Sequence, residues 1–237
     1  MVLRESSGKE ILNTDIPAGS RGILSVVGDF IAYSAPSPGG RSVYLRREPS
    51  WKPELLCRSS SELLEVADGG RALLVANRAG IALLDLHSCA ETSLIHNGEL
   101  TFDQASLSPD GKWMAVLGIR DSDHSQIFLK EMGSAGSDAL VPLTSGDRWI
   151  DRPRWTRDGR EIVFVSNRDH FLCIWAQRVD SVMHPVGDPQ PLLHMHNVRL
   201  SPSHLSRVAF NLSVSSASVL FNAGDILANV WTARPEN

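Results

Sequence analysis

The run Ile162-Val163-Phe164-Val165 is β-branched and aromatic, apolar on both faces, and too short for a buried helix. The residues before it, Pro153-Arg154-Trp155-Thr156, read as a shorter strand, and Asp158-Gly159 reads as the turn between the two. Asp-Gly suits a tight type I′ hairpin turn, in which both central residues take φ > 0. A strand apolar on both faces must be covered on both faces. One hairpin cannot do that for itself, but a stack of similar units can.

The pattern repeats. Its best second copy is Leu107-Ser108-Pro109-Asp110-Gly111-Lys112-Trp113-Met114-Ala115-Val116-Leu117. Weaker copies are Val66-Ala67-Asp68-Gly69-Gly70-Arg71-Ala72-Leu73-Leu74-Val75 and Ser25-Val26-Val27-Gly28-Asp29-Phe30-Ile31-Ala32-Tyr33. A third short apolar strand follows each turn at nearly constant distance. Gly28 precedes Tyr44 by 16 residues, Gly69 precedes Leu84 by 15, Gly111 precedes Phe128 by 17 and Gly159 precedes Trp175 by 16. A fourth segment closes each unit: Pro53–Leu56, Thr92–Ile95, Leu140–Leu143 and Pro189–Leu193. The prolines there suit edge strands, where a missing N–H costs no ladder bond. Each unit is thus a four-stranded meander of about 40–48 residues, the period of a propeller blade.

Ser108-Pro109-Asp110-Gly111-Lys112 and Pro153-Arg154-Trp155-Thr156-Arg157-Asp158-Gly159-Arg160, each followed by an apolar strand, resemble the blade signature of TolB-type β-propellers, the WD40-like Pro-Asp repeat family. Ser166-Asn167-Arg168-Asp169 and Ile174-Trp175 extend the likeness. Similar blades occur at the front of dipeptidyl-peptidase-like enzymes and in bacterial kinases and winged-helix regulators. The resemblance is strongest over residues 102–195 and covers nearly the whole chain. The expected fold is therefore all-β: one β-propeller domain of about five four-stranded antiparallel blades, with incomplete blades at both ends. The blades fall near 21–57, 61–98, 102–146, 151–195 and 207–237, and 1–15 forms a half-blade or closing strands. In the last blade, Arg207–Val214 and Ser218–Phe221 are expected as strands one and two, and Asn229-Val230-Trp231-Thr232 as strand three. A competing frame places the turn at Ser201-Pro202-Ser203-His204. The array is either closed by its N-terminal strands or cut from a longer propeller or polypeptide.

Composition narrows the function. The 237 residues are 42% hydrophobic, enough for a sizeable core. A formal net charge of −4 argues against a phosphate-backbone footprint, so no nucleic-acid contact is expected. No apolar run approaches the ~20 residues of a membrane span. The first ten residues lack the apolar core of a secretory signal. The expected location is therefore cytoplasmic, or periplasmic if an export or membrane segment lies upstream. The three cysteines, Cys57, Cys89 and Cys173, are odd in number and far apart, and buried free thiols are expected.

No GxSxG nucleophile elbow, P-loop or Cys/His zinc spacing is present. His184, His194, His196 and His204 fall within 21 residues, and the i, i+2 pair His194/His196 would share one face of a strand. No carboxylate or cysteine completes a ligand set in the sequence, so the stretch reads as a polar inter-blade loop. Arg120-Asp121-Ser122-Asp123-His124-Ser125 lacks the glycine and distal Glu of a calcium loop and reads as a solvated hairpin tip. No catalytic residue, cofactor site or metal ligand is assigned. Charges at the start of the innermost strands would face the mouth of the central channel. Asp103, Gln104, Trp149, Asp151, Arg152, Asn197 and Arg199 are the candidate contacts there; their structural alternative is tying adjacent blades together. Trp155, Trp175 and Trp231 read as blade-packing residues.

The expected function is that of a non-catalytic protein-interaction or scaffold propeller within a larger bacterial regulatory polypeptide. The partner would be a protein, a peptide or another domain of its own chain, and the propeller itself a monomer. The alternative is an accessory, substrate-gating propeller for a dipeptidyl-peptidase-like serine hydrolase whose catalytic domain lies elsewhere.

Overall fold

A computed structural model of the chain describes residues 2–4, 10–13, 21–26, 30–38, 40–47, 50, 52–67, 70–133, 139–146, 148–196, 200–201, 211–214, 219–221 and 224–225. These residues form strands and turns and no α-helix. Four antiparallel sheets of four strands each follow one another along the chain. The first is β3 (Arg21–Val26), β4 (Phe30–Ser37), β5 (Gly40–Arg47) and β6 (Glu54–Arg58). The second is β7 (Glu62–Ala67), β8 (Ala72–Asn77), β9 (Gly80–Asp85) and β10 (Glu91–His96). The third is β11 (Thr101–Leu107), β12 (Trp113–Ile119), β13 (Ser125–Glu131) and β14 (Val141–Pro142). The fourth is β15 (Ile150–Trp155), β16 (Glu161–Ser166), β17 (Cys173–Val179) and β18 (Pro185–Leu193). Each sheet is a meander in sequence order, and its first strand lies beside the first strand of the next sheet. Such an arrangement is a β-propeller with the first strands innermost.

The second strands explain the packing. Side chains alternate across a strand, so a second strand sandwiched between two blades must be apolar at every position. Leu73 and Val75 pack against Ala32, Val43 and Leu45 of the first blade. Their neighbours Leu74 and Ala76 pack the other way, against Phe102, Ala105, Met114 and Val116 of the third. Ala115 and Leu117 in turn meet Ile150, Ile162 and Phe164 of the fourth. The interior is thus a series of layers between consecutive sheets. The outermost β18 is exposed along nearly its whole length.

The two described Asp-Gly turns, at Asp110-Gly111 and Asp158-Gly159, are wider than a type I′ hairpin. Among Ser108–Lys112 and Thr156–Arg160 only Gly111 (φ 71°) and Gly159 (φ 69°) are left-handed, and the preceding aspartates are not. Gly111 N–H donates to Ser108 O at 2.8 Å and Gly159 N–H to Thr156 O at 3.0 Å. The aspartates serve another end. Asp110 Oδ1 accepts from Ser108 Oγ at 2.7 Å and from Lys112 N at 3.1 Å. Asp158 Oδ1 accepts from Thr156 Oγ1 at 2.7 Å and from Arg160 N at 3.1 Å. The Ser/Thr-x-Asp-Gly sequence is therefore a loop stapled by its own side chains, and those bonds hold both carboxyls below their usual range.

The cysteine expectation is corrected in part. Cys57, in the outer strand of the first blade, and Cys89, in the turn between β9 and β10, form a disulfide with Cα atoms 5.6 Å apart. They are 32 residues apart but one blade on, and the repeat brings them side by side. Cys173 is a buried free thiol, as expected.

At the ends, β1 (Val2–Arg4) pairs with β2 (Glu10–Asn13). Near the other end β19 (Leu200–Ser201) pairs with β22 (Gly224–Asp225), and β20 (Leu212–Val214) with β21 (Val219–Phe221). Most of the fifth blade expected over 207–237, including Trp231, lies outside the described residues.

Candidate functional site

A bulge interrupts every inner strand of the four sheets, between Arg21 and Leu24, Leu63 and Glu65, Phe102 and Gln104, and Asp151 and Arg154. A bulge re-aims one side chain and breaks the apolar alternation. In β11 the extra residue is Asp103, and in β15 Arg152 takes it up with φ 55°. These are residues the sequence singled out, but they are not loose surface charges. Asp151 is 0% exposed, Arg152 4% and Gln104 4%. Asp151 Oδ1 accepts from Arg152 N at 2.8 Å, and Gln104 Oε1 has no hydrogen-bond partner.

Trp149 is half-buried and packs against the core of the fourth blade. Its backbone is clamped by the β16–β17 loop: Trp149 N donates to Asn167 Oδ1 at 3.1 Å, and Asn167 N to Trp149 O at 3.3 Å. Because β11 and β15 are neighbours, Asp103–Gln104 and Asp151–Arg152 occupy the starts of adjacent inner strands. Asn197 and Arg199 lie outside the described residues.

Further along the inner strands sit two charges that sequence reasoning passed over, Glu65 of β7 and Arg154 of β15. Burial raises the Glu65 carboxyl above its usual 4.5, against the pull of Arg154 and the Leu107 N–H. Burial likewise lowers the Arg154 guanidinium, and Glu65 opposes it. Glu65 borders an open cavity of about 630 Å³, within the size range of small-ligand and peptide-anchor sites. The cavity runs across the second, third and fourth blades at the hairpin-turn end. Val66, Leu107, Trp155 and Val214 supply apolar wall, with Asp110 and Arg157 on its rim. Among the described residues its lining holds no histidine or cysteine, and the Ser108 hydroxyl is bonded to the Asp110 carboxylate within the turn.

A third cluster lies at the opposite end of the fourth blade. Asp169, Cys173, His194 and His196 each place one donor atom within 4.8 Å of the others. The sequence shows the two histidines but not the carboxylate and thiol, which come from the β16–β17 loop and the first residue of β17. The histidines lie 25 and 27 residues from Asp169, and that separation conceals the group. These four are the described residues whose donor set could hold a metal ion.

The stacked meanders define the class of protein: a β-propeller, and the fold is that of the TolB-type propellers. A TolB-type protein from Agrobacterium tumefaciens aligns over 92% of this chain and 73% of its own, with 20% identity and a TM-score of 0.67. TolB from Acinetobacter baumannii aligns over 94% of this chain and 56% of its own, with 15% identity and a TM-score of 0.65. A puromycin-hydrolysing peptidase from Mycobacterium tuberculosis aligns over 73% of this chain and 30% of its own, with 16% identity and a TM-score of 0.54. At these identities the likeness is one of fold. An uncharacterised protein from Agrobacterium fabrum is 40% identical over 73 residues, which are 31% of this chain and 24% of that protein. The chain thus matches about a quarter of that relative's length. No protein-family profile matches the chain. No helix among the described residues is long and apolar enough to cross a membrane.

Proposed function

We propose that the chain is a protein-binding propeller with no catalysis of its own. The observation that carries this reading is the cavity across three blades, which joins an apolar wall to a charged rim. Such a surface takes an apolar anchor residue of a partner and orients it by its flanking charges. The opposite end of the channel, where Trp149 and Asp103 are partly exposed and Arg152 and Gln104 are buried, is the second contact surface in this proposal. The Cys57–Cys89 bridge favours an oxidising compartment, which supports the periplasmic location over the cytoplasmic one.

The test is affinity capture from extracts of the source cells, run with two variants that leave the blade cores intact. R157E alters the exposed rim of the cavity, and D103N alters the channel mouth at a partly exposed bulge residue. Loss of a captured protein with the first variant alone supports the cavity. Loss with D103N alone moves the site to the mouth. Capture unchanged in both removes the proposal, and turnover of peptide substrates by the purified chain removes its non-catalytic part.

The second reading is an accessory propeller of a serine hydrolase. It is favoured by the likeness to the puromycin-hydrolysing peptidase, of which this chain covers 30%. In that case the captured protein carries the hydrolase activity, and the cavity variant lowers its turnover of extended substrates.

A further inference from the structure

We propose that Asp169, Cys173, His194 and His196 form a structural site for Zn(II) or a similar borderline d-block cation. Three features of the geometry point to it. The donor set is one thiol, two imidazoles and one carboxylate, the combination that suits Zn(II) and excludes the hard cations Mg(II) and Ca(II). The donors converge from separate segments. Asp169 Oδ2 lies 3.0 Å from His194 Nδ1 and 2.9 Å from His196 Nε2. Cys173, with 0% exposure, approaches the same carboxylate from the core side. Among the described residues the other His–Asp ion pairs are local: Asp121–His124 and Asp180–His184 are i,i+3 and i,i+4 pairs inside single turns.

The donors are also held in place. Met195, between the two histidines, is buried and donates its N–H to Cys173 Sγ at 3.2 Å. That bond fixes the His-Met-His segment so that both imidazoles turn to the same side. His196 stacks on Phe171 at 4.5 Å and His194 meets the edge of Trp175 at 5.9 Å, ring centre to ring centre. Orienting contacts of this kind are what a metal-ligating imidazole needs from its surroundings.

The dimensions fit. Zinc bonds of about 2.0–2.3 Å in a tetrahedron need donor–donor edges of about 3.3–3.7 Å. The two hydrogen-bonded pairs would open by about half an ångström and the widest pair would close by about 1 Å. Both histidines are about half exposed, so their side chains can turn that far. Four protein donors leave no open position, so the site is structural. Its effect would be to fasten the chain leaving β18 to the β16–β17 loop, which already clamps Trp149 through Asn167. On binding, the cation displaces the Cys173 proton and any proton shared between Asp169 and the imidazoles, and these pass to solvent.

The experiment is titration of the purified chain, with its disulfide intact, first with Zn(II) by calorimetry and then with Co(II) by absorption. Because Cys57 and Cys89 are bridged, Cys173 is the remaining thiol, so any thiolate-to-Co(II) charge-transfer band reports it alone. The expected result is one Zn(II) per chain and a tetrahedral Co(II) spectrum with that band. C173S and D169N should each weaken Zn(II) binding at least about 100-fold, and H184A should leave it unchanged. H196Q, at an exposed position, provides the same test if C173S fails to fold. No binding, a Co(II) spectrum without the sulfur band, or unchanged affinity in D169N and H196Q overturns the proposal.

Discussion

Glu65 and Arg154 reach the backbone of the same strand, β11, from opposite sides. Glu65 Oε2 accepts from Leu107 N at 2.9 Å, and Arg154 Nη1 makes a long contact with Ala105 O at 3.5 Å. Arg154 Nε also donates to Leu212 O at 3.1 Å. The pair therefore spans the second, third and fourth blades and continues to β20. Removing one charge leaves the other in a poorly solvated channel. R154M, which leaves a buried carboxylate without its partner, should cost about 2 kcal/mol, between the values for exposed and fully buried pairs, and E65Q, which removes a charge that burial already disfavours, should cost less. In the double variant the cost should fall short of the sum by about 1 kcal/mol. Urea unfolding of the set measures this; strictly additive costs would show that the two charges do not sense each other.

The same carboxyl gives a pH dependence with a defined sign. Burial raises Glu65 above 4.5, so the folded state holds its proton more tightly than the unfolded chain does. The contribution of Glu65 is fully present below 4.5 and is lost as pH rises through its folded value. E65Q cannot titrate. The stability of the parent relative to E65Q should therefore decline from about pH 4.5 toward neutrality. Unfolding free energies of both proteins across that range check it, and a constant difference would mean the carboxyl titrates normally.

Gly159 tests the turn. Its φ is 69°, and a Cβ placed there would meet Pro109 Cδ at 3.7 Å, an ordinary contact. Any cost of substitution is therefore conformational. G159V should lose about 2 kcal/mol, because a β-branched residue resists the left-handed region, and G159N should lose about half as much. Thermal melts of the two variants separate them. Equal melting temperatures for G159V and the parent would show that the loop can form without a left-handed residue.

The blade pattern was legible because it is local. The all-apolar runs Leu73–Ala76, Met114–Leu117 and Ile162–Val165 are buried on both sides, and their spacing to the third strands follows the hairpin geometry. The turn class was misread because Asp-Gly is shared by two loop types. The distinction lies in the Ser/Thr two residues earlier, whose hydroxyl bonds the aspartate and widens the loop. The inner-strand bulges were not legible, since an extra residue leaves no mark on composition. They decide which residues are buried at the channel: Arg152, read as a mouth charge, is nearly inaccessible. Contacts between blades were hidden for a related reason. Periodicity fixes register within a blade, whereas Cys57–Cys89 and Asp169–His196 depend on how neighbouring loops approach.

The disulfide gives the last prediction. Cys57 is buried and Cys89 exposed, so a reductant can reach the bridge from the Cys89 side. Titration of the unfolded, unreduced chain should find one thiol, from three cysteines less the bridged two, and reduction should raise this to three. The bond closes a loop across 32 residues. Loop-closure entropy for that length corresponds to about 3–4 kcal/mol, within the usual span for native bridges. C57A/C89A should therefore melt about 6–16 °C lower than the oxidised parent. Addition of a reductant should bring the parent down to the same temperature. Three thiols before reduction would show that the first two blades hold together without the bridge.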